Sequence, residues 1–112
     1  MKPVINGSSF GTIIIDEKVY TNHVIVYSDG EIKKANIRHE SLTVDFVKPF
    51  LKPGIELVII ATGTSGCLHL YEGLKDFLKE KNIELFTGLT PAACEKFNKT
   101  KKKTVAFLHL TC

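Results

Sequence analysis

Three short stretches of this sequence gather the residue types that could do chemistry. Residues 62–67 read Thr-Gly-Thr-Ser-Gly-Cys, residues 87–90 read Thr-Gly-Leu-Thr, and the chain closes His109-Leu110-Thr111-Cys112. A glycine-bearing, hydroxyl-rich loop between a buried strand and a helix N-terminus suits a phosphate, because free backbone N–H groups and the helix dipole both favour an anion there. The named phosphate motifs nevertheless do not fit. A dinucleotide fingerprint needs Gly-x-Gly-x-x-Gly, and its first position is Ala61. A P-loop needs Gly-Lys-Ser/Thr, and no lysine is near. The plainer reading is a tight turn with positive φ at one or both glycines.

The thiols offer less. Cys94 falls in the first turns of an expected helix, where the dipole lowers a thiol pKa, and Cys67 falls near the start of another. The competing reading makes both of them small buried hydrophobes, and it is preferred because buried cysteine is common. Cys112 is read as carrying the terminal carboxylate, which raises its own pKa and opposes anion binding at the same edge. His109 and Cys112 form a single loose His-x-x-Cys pair, whereas zinc motifs show two close pairs, so no metal is expected. A Cys-His nucleophile pair between His109 and Cys67 or Cys112 is conceivable, but no spacing specifies it. His109 shares a strand face with Val105 and Phe107, which suits a core histidine. No cofactor is implied.

The elements that must position these stretches are legible from periodicity. Residues 10–15 and 19–27 are rich in β-branched and aromatic residues and read as strands, joined by the polar turn Asp16-Glu17-Lys18. Asp29-Gly30 marks a hairpin that returns over residues 32–37. Phe46, Val47, Phe50 and Leu51 have helical spacing, with Pro49 tolerable in the first turn if Asp45 is the N-cap. Residues 55–61 form a continuous apolar run, as in a strand buried on both faces. Leu70, Tyr71, Leu74, Phe77 and Leu78 predict an amphipathic helix that closes at Asn82. A short strand covers residues 83–86. Thr90-Pro91 predicts a helix start, with Thr90 as N-cap, and that helix reaches about Lys99. The last strand covers residues 104–110.

Residues 55–110 thus read strand, helix, strand, helix, strand, with crossovers long enough for a parallel, right-handed unit. The fold class is α/β: a mixed sheet built on a parallel β-α-β-α-β unit, with N-terminal antiparallel hairpins added at its edge or across one face. Ligands of such units bind at the carboxyl ends of the strands. That topology brings together Thr62, Gly63, Thr64, Ser65, Gly66, Thr90, His109 and Cys112 as the candidate ligand-binding rim.

Composition bounds the rest. A chain of 112 residues with 44% apolar and 24% charged residues suits one globular domain, residues 1–112. No apolar run approaches the roughly 20 residues of a bilayer span, and neither a secretion signal nor a transit peptide is legible at the start. Three widely spaced cysteines are a poor disulfide framework. The expected compartment is the cytoplasm, with no membrane partner. The net charge of +3 is concentrated in residues 95–103, with five lysines and one acid. An RNA surface would place aromatic side chains among those lysines. The nearest, Phe97 and Phe107, read as core, so a nucleic-acid partner ranks last.

An ordered set of residues also carries a family likeness. Phe10-Gly11, Asp29-Gly30, Thr62-Gly63 with Gly66, then Thr90, Ala93 and Phe97-Asn98, and the closing His109-Leu110-Thr111-Cys112 together resemble the small Mth-type domain family. The likeness covers residues 9–112. That family includes an adipogenesis-associated Mth domain-containing protein and a mitochondrial complex I assembly factor. The resemblance implies a layered α/β domain with a mixed central sheet and no assigned catalytic set. Ala61 stands where many members have glycine, and Lys101 to Lys103 stand where arginines are common. The resemblance therefore carries over no anion site resting on an arginine fork.

Two functions compete. The favoured one is a non-enzymatic interaction or assembly module whose partner is a protein, either another copy in a homo-oligomer or a different chain. It is motivated by the missing catalytic constellation and by the roles of the family's eukaryotic members. The alternative is a binder of a small anion or polar metabolite, or a modest enzyme, using the edge formed by residues 62–67, 87–91 and 109–112.

Overall fold

Strand alternation and two kinds of turn generate the architecture of the computed structural model, which describes residues 2–35, 42–63 and 72–111. The chain opens with an antiparallel meander of β1 (Ile5–Ser9), β2 (Thr12–Ile15) and β3 (Lys18–Tyr20). The hairpin of β4 (Val24–Tyr27) and β5 (Ile32–Lys34) follows, turning through Gly30 at a φ of 108°. Helix α1 (Val44–Val47) runs straight into a 3-10 turn at Lys48–Phe50. Then come β6 (Leu57–Thr62), α2 (Glu72–Glu80), β7 (Glu84–Gly88), α3 (Thr90–Lys99) and β8 (Thr104–His109).

The main sheet has the order β5-β4-β8-β6-β7. β6 pairs in parallel with both β7 and β8, which is the expected β-α-β-α-β unit, and β4 joins β8 antiparallel. Both expected uses of the N-terminal strands occur together. The β4–β5 hairpin extends the sheet beside β8, while the meander covers a face.

Each face has its own core. Leu57, Ile59, Ala61, Ala106 and Leu108 pack with Ile5, Ile13 and Ile15 of the meander and with Ala93 and Phe97 of α3. The alternate residues Val58, Ile60, Val105 and Phe107 pack with Val47 of α1 and with Leu74 and Leu78 of α2. Every residue of β8 is buried, as a central strand covered on both faces requires.

Four local expectations are corrected. β1 precedes the first expected strand. Its polar Asn-Gly-Ser-Ser sequence hid it, and pairing with β2 makes it a strand. Residues 19–27 do not form one strand but break at Thr21, Asn22 and His23, so that β3 stays in the meander and β4 crosses to the main sheet. Thr43, not Asp45, caps α1: its hydroxyl oxygen accepts the Phe46 N–H at 3.1 Å. The α-helix stops at Val47, and Pro49 is accommodated in the 3-10 turn. Finally, Leu89 occupies the cap position of α3 and Thr90 is its first residue; the Thr90 hydroxyl bonds elsewhere.

Asn82 does close α2. It takes the left-handed conformation at a φ of 58°. Its N–H donates to the Lys79 carbonyl at 3.0 Å and the Ile83 N–H to Leu78 at 2.9 Å, the paired bonds of a Schellman motif. Among the described residues, no helix is long and apolar enough to cross a membrane.

Candidate functional site

Register fixes which strand ends meet. Ala61 lies beside both Gly88 and Leu108, and Thr62 beside His109, so β6, β7 and β8 finish at one edge of the sheet. Side chains stitch that edge together. The Thr62 hydroxyl donates to the Gly88 carbonyl at 3.1 Å, and the Thr90 hydroxyl donates to the His109 carbonyl at 2.9 Å. The Thr90 N–H reaches the Gly63 carbonyl at 3.3 Å. Gly63 turns out of β6 at a φ of 98°, a conformation costly for any residue with a Cβ.

Four residues of the expected rim, Thr62, Gly63, Thr90 and His109, are thereby brought together. The hydroxyl protons of Thr62 and Thr90 are engaged by backbone carbonyls, and Thr90 and His109 are almost fully buried. Thr64, Ser65, Gly66 and Cys112, together with Cys67, Arg38, His39 and His69, lie outside the described residues.

A histidine pair marks the end of β8. The rings of His23 and His109 stack with centroids 4.5 Å apart and planes 17° from parallel. The Leu110 N–H donates to His23 Nδ1 at 3.0 Å. A ring nitrogen that accepts carries no proton, so the neutral His23 ring holds its proton on Nε2. Burial pushes the His23 pKa below its usual value, because the imidazolium loses hydration. Thr111 Oγ1 lies 3.4 Å from His109 Nε2, and the Gly11 N–H ties the turn of the meander to the Leu110 carbonyl at 2.8 Å.

Beside this pair lies a cleft of about 500 Å³. Thr21, Asn22 and His23 line it from the β3–β4 link, Lys34 from the end of β5, and Thr111 from the tail of β8. It opens on the same edge of the sheet as the expected rim but toward β4 and β5. Sequence reasoning missed Thr21, Asn22, His23 and Lys34 here. The signal was present: three polar residues interrupt a β-branched run, which marks the point where the chain leaves one sheet for the other.

The model of a family described as proteins of unknown function (DUF498/DUF598) matches residues 5–109. The chain belongs to this family. Solved structures place it further within the Mth-type fold. A conserved hypothetical protein from Pyrococcus horikoshii OT3 superposes over 100% of both chains at a TM-score of 0.83 and 22% identity. An outer membrane protein from Bartonella henselae does so over 99% of this chain and 97% of its own, at 0.80 and 24% identity. A Bordetella pertussis protein, an Mth938-like domain, covers 96% of this chain and 85% of its own at 0.72 and 14%. At these identities the likeness is one of fold. No curated protein matches the chain.

The remaining chemical candidates in this DUF498/DUF598 domain resolve simply. Cys94 is buried against the meander, and burial pushes its thiol up to about 11, with a hydrogen bond to Ser8 acting the other way. Cys94 is the fifth residue of α3, past the first turn in which the helix dipole is felt. Among the described residues, no cluster of three His, Cys, Asp or Glu side chains could hold a metal ion. Lys101, Lys102 and Lys103 are exposed, and Lys102 pairs with Glu84 at 2.9 Å.

Proposed function

We propose that this domain is a non-enzymatic interaction module that docks a second copy of itself through the outer face of the meander. The observation that carries the reading is a set of large apolar side chains held in water: Phe10 is 67% exposed, Val19 63% and Val4 51%. Ile13 and Ile15 point into the core, so the alternate residue Ile14 points outward, and the register sets Val19 beside it on one side and Gly7 on the other. Gly7 has no side chain to cover that surface.

Charge favours a copy over a partner of one sign. Asp16, Glu17 and Lys18 are all exposed at the β2–β3 end of the face, so its margin holds both signs. A two-fold contact can set the acids of one chain against the cation of the other, which is the self-complementarity an isologous interface requires. Exposed apolar patches of this kind mark interaction surfaces.

Sedimentation across a dilution series tests it. The wild type is expected to self-associate reversibly, and Val19→Lys and Phe10→Ser, both exposed and so neutral for folding, should each weaken association at least tenfold. A wild-type chain that stays monomeric up to near-millimolar concentration overturns the reading.

A further inference from the structure

The cleft beside His23 has a composition that selects its ligand. We propose that it binds the phosphate group of a small phosphorylated metabolite, held by Lys34, Asn22, Thr21 and Thr111 with His23 as a supporting donor.

The described lining provides donors and no carboxylate. Lys34 contributes an ammonium with three protons, Asn22 a carboxamide, and Thr21 and Thr111 hydroxyls. The Leu110 N–H occupies His23 Nδ1, so the neutral ring offers a proton on Nε2 and no acceptor. These groups come from three separate segments, the β3–β4 link, the end of β5 and the tail of β8, which border the cleft on different sides.

That geometry suits a tetrahedral anion, whose oxygens accept from several sides. The volume, about 500 Å³, exceeds what a bare phosphate fills and falls in the range of small-metabolite sites. Two features keep the site in shape. The His23 ring is held by the Leu110 bond and by its stack on His109, and the Ala35 N–H donates to the His23 carbonyl at 2.9 Å, fixing the end of β5 against the β3–β4 link. The site shares no residue with the face proposed for self-association, so either can fail without the other.

A ¹H–¹⁵N titration with inorganic phosphate, with sodium chloride at matched ionic strength as the reference, tests the assignment. Saturable shifts are expected at Thr21, Asn22, Lys34 and Thr111. Glycerol phosphate should bind more tightly than inorganic phosphate. Lys34→Gln, a change at an exposed position, should weaken both at least fivefold while leaving the rest of the spectrum unchanged. Three results overturn it: shifts that do not saturate or that chloride reproduces, shifts centred on Lys101 to Lys103, or equal affinity for acetate. Unchanged affinity in Lys34→Gln does so as well.

Discussion

His23 and His109 stand face to face across the junction of β4 and β8, their rings 4.5 Å apart. The residues belong to opposite halves of the sequence, and their contact locks the start of the hairpin to the last strand. The Leu110 N–H completes the lock through His23 Nδ1.

That contact predicts a pH response. Burial holds the His23 pKa below its usual 6.5, and protonation at Nδ1 would also displace the Leu110 N–H. Below pH 6.5 the unfolded chain takes up a proton that the folded chain resists. The stability contributed is therefore fully present above that pH and is lost as pH falls toward the folded value. An NMR titration of the His23 Cε1 proton should give a midpoint below 6.5. A midpoint at or above 6.5 contradicts it. His23→Gln should flatten the fall in Tm between neutral and mildly acidic pH.

Thr90 should matter for stability through its hydroxyl alone. Thr90→Val keeps the shape and leaves the buried His109 carbonyl without that donor, costing about 1–3 kcal/mol in urea denaturation. Thr62→Val, at a half-buried site where water can replace the bond to Gly88, should cost less. Equal losses at the two sites would show that burial does not set the difference.

Asn98 clasps β1 as a neighbouring strand would. Its Oδ1 accepts the Ile5 N–H at 2.9 Å and its Nδ2 donates to the Ile5 carbonyl at 2.8 Å. Asn98→Ala should cost about 1–3 kcal/mol, the sum of two bonds at about 0.5–1.5 kcal/mol each. Asn98→Asp should cost at least as much above pH 6, since it sets a carboxylate against the Ile5 carbonyl. Denaturant midpoints for the pair would decide it.

The β2–β3 turn carries removable strain. Asp16 and Glu17 both have positive φ, at 49° and 69°, in a two-residue turn that favours Asn-Gly. Bonds from the Val4 N–H to Asp16 and from the Glu17 N–H to Asn6 offset the strain without abolishing it. Glu17→Gly should raise stability by about 0.5–1 kcal/mol, read as an increase in Tm. A fall in Tm would show that the Glu17 side chain has a role that the turn geometry does not reveal.

Cys94 should resist alkylation. With its thiol at about 11 and its side chain in the core, native protein at pH 8 should react with iodoacetamide at least about a hundredfold more slowly than a free thiol. Peptide mapping before and after denaturation measures this.

What the sequence made legible follows the strength of each local signal. The continuous apolar runs of β6 and β8 and the amphipathic period of α2 leave little freedom, and the parallel unit with its common strand edge follows from their order. β1 escaped because Asn6, Gly7, Ser8 and Ser9 have no strand propensity; pairing with β2 and the Asn98 clasp, which are distant in sequence or invisible to local patterning, hold them extended. The cleft escaped for a related reason. Thr21, Asn22 and His23 look like polar interruptions of a strand, and their meeting with Lys34 and Thr111 is a product of sheet order, which local patterning does not encode. Thr90 shows the same limit in miniature: its hydroxyl had an obvious local use as a cap, and a distant carbonyl took it instead.

The position of β8 has a consequence for synthesis on the ribosome. Among the described residues it is the middle strand of the main sheet and the last strand to be translated, and it joins the β4–β5 hairpin to the β6–β7 pair. Until residues 104–109 leave the exit tunnel, the two flanks have no seam to close on, and their apolar faces must wait unpaired. Nascent chains of this protein should therefore acquire protease resistance in a single late step rather than by gradual accretion, and they would be clients for chaperones up to that moment.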